Sequence, residues 1–462
     1  MLGLNGCIED GFTASPSDQP VFSTDTLNMG MIFTEQPSTT HRFTVINPAS
    51  KALNISKISL SGDNAGLFRL NVDGFSGREF SDVEIRAKDS IYVFVETTLP
   101  ANNRNVPVEV EAHLDFLTNG VTNSVVLTAQ GRDVKRLRAL EIAEDTRLTA
   151  DIAYQIFDSL VVKPGATLTV DPGVEMFFHD AAQMVVHGTL KAIGAQGNEI
   201  VMQGDRTGNV AADISFDLMS RQWDGLWFTS TSRDNELSYT HLCNTSYGVA
   251  VDGSEATEPV ELTMINSRLR NSGDFGLRMI HANLRAYGCE IAEAAYGALM
   301  LYGGEHTVNQ CTLSNYYLFA AIGSPILTLG WTKNGDDYFE ATDADLGKPF
   351  TKAEICNTII YGLGKDISHG DLTDTDVYLR RCLLKSEGTD DANFLECVWG
   401  QDPLFRTVRE DYYFDYRLQE GSPAIAAADA TLVAPQSATD RLGNQRGQEP
   451  DLGAYVYTVE VQ

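Results

Sequence analysis

Apolar positions recur along the chain with a period too short for paired helices. Ser267, Cys289 and Cys311 lie 22 residues apart, and Leu269, Ile291 and Leu313 follow each of them by two places. A small residue, a spacer and an aliphatic residue make a period-2 pattern, so each copy predicts a short strand. The same period links Ala166 to Gly188, Leu168 to Leu190 and Val170 to Ala192, and it pairs Val162 with Met184 and Phe178 with Ile200. Elsewhere the register drifts to 27 residues between Thr240 and Ser267 and to 24 between Thr358 and Cys382. Insertions of that size belong at coil corners, where a solenoid tolerates them. The pattern therefore predicts stacked coils with equivalent residues about 4.8 Å apart. The competing reading is a β-sandwich with chance spacing.

Residues 21–131 carry a different pattern. Short alternating runs at Arg42–Ile46, Asn54–Leu60, Ser90–Thr97, Val108–Leu114 and Ser124–Ala129 are separated by Asn, Gly and Pro turns. That predicts an antiparallel sandwich. Leu27-Asn-Met-Gly30, Phe43-Thr-Val-Ile-Asn47 and Leu127-Thr-Ala-Gln-Gly131 resemble the strands of Ig-like domains of the ASPM/SPD-2/Hydin type, which act as spacers or docking modules. His41 and His113 are lone histidines and read as structural. Residues 132–150 open with the basic run Arg132-Asp-Val-Lys-Arg-Leu-Arg138, read as the junction, with a merely solvated charge run as the alternative.

Val161-Val-Lys-Pro-Gly-Ala-Thr-Leu-Thr-Val-Asp-Pro-Gly173 resembles the opening coils of bacterial right-handed parallel β-helix proteins, and Trp223-Asp-Gly-Leu-Trp-Phe228 resembles a later recurring element of them. Asp402-Pro-Leu-Phe405, Tyr416–Ile425, Asp440–Asn444 and Pro450–Tyr455 resemble the terminal segment of the "choice-of-anchor Q" β-helix proteins of Bacteroidota. The family's Asp-Ala-Gly is replaced here by Ala426-Ala427-Ala428. The expected architecture is all-β: a tether at 1–20, an Ig-like β-sandwich at 21–131, a right-handed parallel β-helix (a pectate-lyase-like solenoid) at 132–400, and a segment at 401–462 that caps the last coil.

Composition narrows the partners. The chain carries 34 Lys and Arg against 63 Asp and Glu, a net charge of −29. Such a surface repels nucleic acid and anionic lipid headgroups. No run of 18 apolar residues predicts a membrane-spanning helix. Leu4-Asn-Gly-Cys7 resembles a bacterial lipobox, although only six residues precede Cys7, and Glu9-Asp10 resembles the export signal of Bacteroides-group surface lipoproteins. The resemblance implies lipidation at Cys7 and an outer-membrane, surface-exposed location. A polar Pro-containing stretch at 11–20 follows as a flexible tether. None of the seven cysteines forms a C-x-x-C pair, so a zinc site is not indicated. Cys289 and Cys311 fall on stacked positions and read as reduced, buried thiols, with a catalytic thiol as the alternative.

No catalytic set stands out. Parallel β-helices include pectate lyases and polygalacturonase-type hydrolases, but Ser368-His369-Gly370 lacks the companion Asn-Thr-Asp of the hydrolases. Asp371, Asp374 and Asp376 do not have EF-hand spacing, so a Ca²⁺ loop is unsupported and a solvated acidic turn is the plainer reading. No cofactor is indicated. Aromatic residues are more informative. Alternation points Leu226 and Phe228 inward and Trp227 outward. Residues 330–350 interrupt the period and place Trp331, Tyr338 and Phe339 beside Asp336 and Asp337, either as a binding surface or as cover for a gap in the stack. The expectation is a non-catalytic surface lipoprotein that binds a glycan or docks on another envelope protein, with a polysaccharide lyase or glycoside hydrolase as the alternative.

Overall fold

The computed structural model describes residues 11–211, 214–255, 258–320, 322, 324–330 and 351–459. Among them every regular element is a strand or a 3₁₀ turn. The chain divides between Val134 and Lys135 into two compact units.

The first unit is a two-sheet sandwich. One sheet holds Val21–Phe22, His41–Ile46, Ser90–Thr97, Phe68–Val72 and Phe75–Gly77, in that order; the other holds Thr26–Phe33, Val121–Arg132, Val108–Thr118, Leu53–Ser61 and Glu79–Ile85. Alternation drives the packing: Phe43, Val45, Val93, Val95, Leu114 and Phe116 all point inward and are buried together. Asn47 ends its strand inside this core. Its amide donates to the carbonyls of Lys51, Ile85 and Arg86 at 2.9–3.0 Å and its Oδ1 accepts from the Ala49 amide at 2.8 Å. A buried amide satisfied on both sides pins three segments without desolvation cost. The basic run after it is not wholly solvated. Arg132 and Asp133 are buried, and Asp133 accepts from Thr34 Oγ1 at 2.8 Å and from the Asn103 amide at 2.7 Å.

The second unit is a parallel β-helix. Each coil contributes strands to three parallel ladders. One is a ten-stranded sheet from Thr146–Leu148 to Phe394–Leu395. The other two share the 18-stranded sheet. The first of these, the strap face, runs through Glu175–Phe178, Ile200–Gly204, Thr240–Cys243, Arg268–Arg270, Glu290–Ile291, Thr312–Asn315 and Ile359–Gly362. The second, the tryptophan face, runs through Gln183–Val186, Gly225–Phe228, Val249–Asp252, Leu277–Ile280, Leu299–Tyr302 and Leu327–Leu329.

The interior is built from rows of like residues. Met176, Met202, Leu242, Leu269, Ile291, Leu313, Ile360 and Leu384 stack one above another on the strap face. Trp223 is fully buried, stacks on Phe178 with ring centroids 3.9 Å apart, and donates its indole N–H to the Cys243 carbonyl at 2.8 Å. Cys289 and Cys311 sit in adjacent coils as free, buried thiols, and the Cys289 amide donates to the Cys311 sulfur at 3.4 Å. Corners are tight. At Gly188 a Cβ would lie 2.2 Å from the Ala166 carbonyl, so no other residue fits where two coils meet there.

Residues 401–459 do not lie across the last coil alone. They run back along the outside of the strap face. Asn357 Nδ2 donates to Asp429 O at 3.0 Å, Asn309 Nδ2 to Leu432 O at 2.7 Å, Asn266 Nδ2 to Thr439 O at 3.3 Å, and Gln196 Nε2 to Leu442 O at 2.7 Å. The chain then returns, with the Gly453 amide on Asn357 O and the Ala454 amide on Thr312 Oγ1. The physical reason lies in the outward row of the strap face. Ala292, Ile359 and Leu383 point away from the coil interior and need cover, which Phe405, Phe414, Tyr416, Leu418 and Leu452 supply.

Candidate functional site

With the strap face covered, the outward row of the tryptophan face meets solvent at Trp227 and in part at Arg278, while Val185, Ala250 and Met300 in the same row are buried. The strand Gly225–Phe228 alternates as the sequence pattern demands: Leu226 and Phe228 are fully buried and Trp227 is 36% exposed. Its row continues through Val185 below and Ala250, Arg278 and Met300 above. Two smaller side chains therefore flank the indole and leave it standing above the sheet.

Polar groups gather beside it. Arg278 lies two coils from Trp227, about 10 Å at the usual coil rise. Its Nη2 lies 3.3 Å from both carboxylate oxygens of Asp252 in the adjacent coil. Asp224, three residues before Trp227, has its carboxyl pushed above the usual range by burial and by the nearby Asp180 carboxylate. Burial also raises Asp274, while Arg278 and Arg221 oppose the shift. The Tyr247 phenol is held neutral by burial and by Asp224, and its hydroxyl is a buried group with no partner among the described residues. Arg278 Nε is buried and unpartnered in the same way. An indole plane and a partly exposed arginine–carboxylate pair make a surface that can stack on an apolar ring face and exchange hydrogen bonds with hydroxyls, with the buried Tyr247 phenol behind it.

Of the residues expected to bind, the structure places Trp227 here. Trp331, Asp336, Asp337, Tyr338 and Phe339 lie outside the described residues, as does Cys7. The sequence reading missed Asp224, Tyr247, Asp252, Asp274 and Arg278. The signal was present for Arg278: in Leu277-Arg-Met-Ile280 alternation sends the arginine outward, onto the row of Trp227.

Two other clusters read differently. The expected echo at His369 is a corner residue whose Nδ1 lies 2.6 Å from the Gly370 carbonyl, and no group of three His, Cys, Asp or Glu side chains able to hold a metal occurs among the described residues. A shallow groove of about 490 Å³ on the ten-stranded sheet is rich in charge, but its Glu305 pairs with Lys352 at 3.0 Å and its Glu354 with Arg380 at 2.6 Å. That is a solvated charge ladder. The second cluster lies under the strap. Arg270 is paired with Glu290 and lies 3.6 Å from Glu293, Tyr416 donates to Glu293, and Tyr455 donates to Glu290. Glu290 is driven down to about 2, its burial outweighed by Arg270 and Arg268, while burial pushes Glu293 up to about 7. Two carboxyls split this far resemble an acid–base pair. Both are fully buried beneath the strap that supplies Tyr416 and Tyr455, so the pair fastens the strap and does not face a substrate.

No family model matches the chain, and no curated protein matches it. Among solved structures it is similar to a family 123 glycoside hydrolase from Clostridium perfringens studied for glycolipid glycan hydrolysis, at 8% identity and TM-score 0.18, over 24% of this chain and 25% of that one. It is similar to a protein of unknown function from Porphyromonas gingivalis W83, at 12% identity and TM-score 0.18, over 27% and 59%. It is also similar to the catalytic unit of a GH87 α-1,3-glucanase from Streptomyces thermodiastaticus, at 9% identity and TM-score 0.20, over 78% and 88%. The chain thus spans a quarter of the first structure and about three-fifths of the second. At these scores the likenesses say nothing of ligand or activity.

Proposed function

We propose that this protein binds a glycan on the tryptophan face of its β-helix without turning it over. The observation that carries the reading is Trp227, exposed on an outward row, with Asp252 in the next coil and Arg278 one coil further. An indole stacks on the apolar face of a pyranose while the carboxylate and guanidinium take its hydroxyls. Equivalent positions repeat about every 4.8 Å along the helix, a spacing suited to an extended sugar chain lying along it. The net charge of −29 favours neutral glycans over polyanionic ones. Trp331, Tyr338 and Phe339, with Asp336 and Asp337, are proposed as further contacts. The same aromatics would suit an envelope-protein partner.

A second reading, glycoside hydrolysis, has one observation in its favour: burial and the nearby Asp180 carboxylate push the Asp224 carboxyl above its ordinary range, the direction a general acid beside a second carboxylate requires. Reducing-end release from neutral polysaccharides separates the two. The binding reading expects none from wild type; release that Asp224→Asn abolishes would establish the hydrolase.

The likeness of Leu4–Cys7 to a lipobox, and of the C-terminal segment to choice-of-anchor Q proteins of Bacteroidota, supports anchorage in an outer membrane through Cys7. Cys7→Ala should leave the membrane fraction and take up no labelled fatty acid. Unchanged partition of that variant would contradict the anchor, because an acidic body has little other hold on a bilayer.

A further inference from the structure

The sandwich has a surface that the glycan reading does not use. In its first sheet, Phe75–Gly77 is the last strand and pairs only with Phe68–Val72 among the described residues. Beside it lies a groove of about 590 Å³ lined by Arg69, Arg78, Asn71, Ser76 and Phe94 among others. We propose that this edge and groove dock an extended, carboxylate-bearing polypeptide segment that adds as a strand alongside Phe75–Gly77.

Three independent features converge on that occupant. The first is backbone. An unpaired strand edge offers amides and carbonyls at peptide spacing, and an added strand satisfies them. The second is charge. In a chain of net charge −29, the groove is lined by Arg69 and Arg78 against one carboxylate, Glu96, with Arg42 on the same outward row as Phe94. Glu96 accepts from Thr40 Oγ1 at 2.5 Å and lies 3.7 Å from Arg69, a long contact on an exposed pair. Arg78 spends one N–H on the Gly66 carbonyl at 2.9 Å, and a guanidinium has five to offer. Forked donors of this kind suit carboxylates. The third is apolar anchorage. Tyr92 is 48% exposed with the Arg42 guanidinium 5.2 Å over its ring, and Phe75, 73% exposed at the edge, pairs with Val72 and so turns to the other side of the sheet. Exposed aromatics among arginines are the composition of an interface centre. Period-2 alternation in a bound strand would turn one set of side chains to the groove side, towards Arg78 and Arg69, and the other to the side of Phe75. A segment alternating glutamate with aliphatic residues fits both needs.

The full chain would be titrated, by fluorescence anisotropy, into a fluorescein-labelled decapeptide alternating Glu and Val. A decapeptide alternating Lys and Val and one alternating Glu and Pro serve as controls. Saturable binding of the Glu-Val peptide is expected. The Lys-Val peptide should fail on charge and the Glu-Pro peptide for want of amide donors. The double variant Arg69→Ala/Arg78→Ala should bind the Glu-Val peptide at least tenfold more weakly with an unchanged melting temperature. No saturable binding by wild type, equal binding of either control, or equal affinity in the variant overturns the proposal. Concentration-dependent dimerisation lost in the same variant would assign the face to a second copy and also overturn it.

Discussion

Single residues in this protein are held by what stacks on them, and Glu293 shows the consequence. It sits at the corner after Glu290–Ile291, faced by Arg270 and Arg268 and by Glu290 from the coil and by Tyr416 from the strap, with its Oε2 accepting no hydrogen bond and only 3.6 Å from Arg270. Its pKa is about 7 in the fold against an ordinary 4.5. Below pH 4.5 both folded and unfolded forms are protonated and nothing is lost. As pH rises from 4.5 to 7 the unfolded chain ionises first, so stability falls, by on the order of 1–3 kcal/mol. Glu290, at about 2, acts in the opposite sense and loses its contribution as pH falls below 4.5. The buried histidines His241 and His306, both depressed chiefly by burial, also lose stability as pH falls through the ordinary histidine range. The informative quantity is therefore a difference. The melting temperature of wild type minus that of Glu293→Gln should be more positive at pH 5 than at pH 8; a difference independent of pH would show that Glu293 does not titrate as described. Nothing in the sequence pointed to this residue, because Arg268 and Arg270 come from the preceding coil and Tyr416 from a segment more than a hundred positions away.

At the scale of elements, the coil was legible in the period and the register only partly so. Ser267, Cys289 and Cys311 stack as the 22-residue spacing demands, and so do Leu168 with Leu190 and Val170 with Ala192. Val162 pairs with Val186 and Leu160 with Met184, a slip of two from expectation. Phe178 pairs with Gly204, a slip of four from Ile200. Both slips are even numbers. A shift of two along a strand keeps every side chain on the same face, so the apolar pattern cannot register it, whereas a shift of one would have been obvious. The sandwich shows the complementary limit: its long alternating strands were readable, but Phe68–Val72, Phe75–Gly77 and Glu79–Ile85 were not, being short or partly exposed. The ladder makes a direct prediction. Cys289 is buried above Cys311, and burial drives its thiol pKa up. Cys289→Asp puts an unpaired charge into the stack and should destabilise the β-helix by several kcal/mol, with Cys289→Ser much milder. Equal melting temperatures for the two variants, or rapid labelling of both thiols in native protein, would contradict the packing described.

Across the second unit, the strap determines which surface is left for function. A solenoid's coils touch only their neighbours, yet here residues 429–442 reach coils as far apart as those of Asn357 and Gln196. The sequence marked 401–462 as the cap of the last coil, and did not show that Phe405, Tyr416 and Leu418 cover the strap face. With the strap face covered and the ten-stranded sheet carrying a solvated charge ladder, the candidate site falls on the tryptophan face, where alternation alone had already turned Trp227 outward. Its partners Asp224, Asp252 and Arg278 become visible only when the coils are stacked. The most direct test of the account is a glycan array probed in parallel with wild type and Trp227→Ala. Wild type should retain neutral glycans, and the variant, equally folded, should lose at least tenfold in affinity, about 1.4 kcal/mol. Equal retention by both proteins, or no retention by wild type, would contradict glycan recognition on this face.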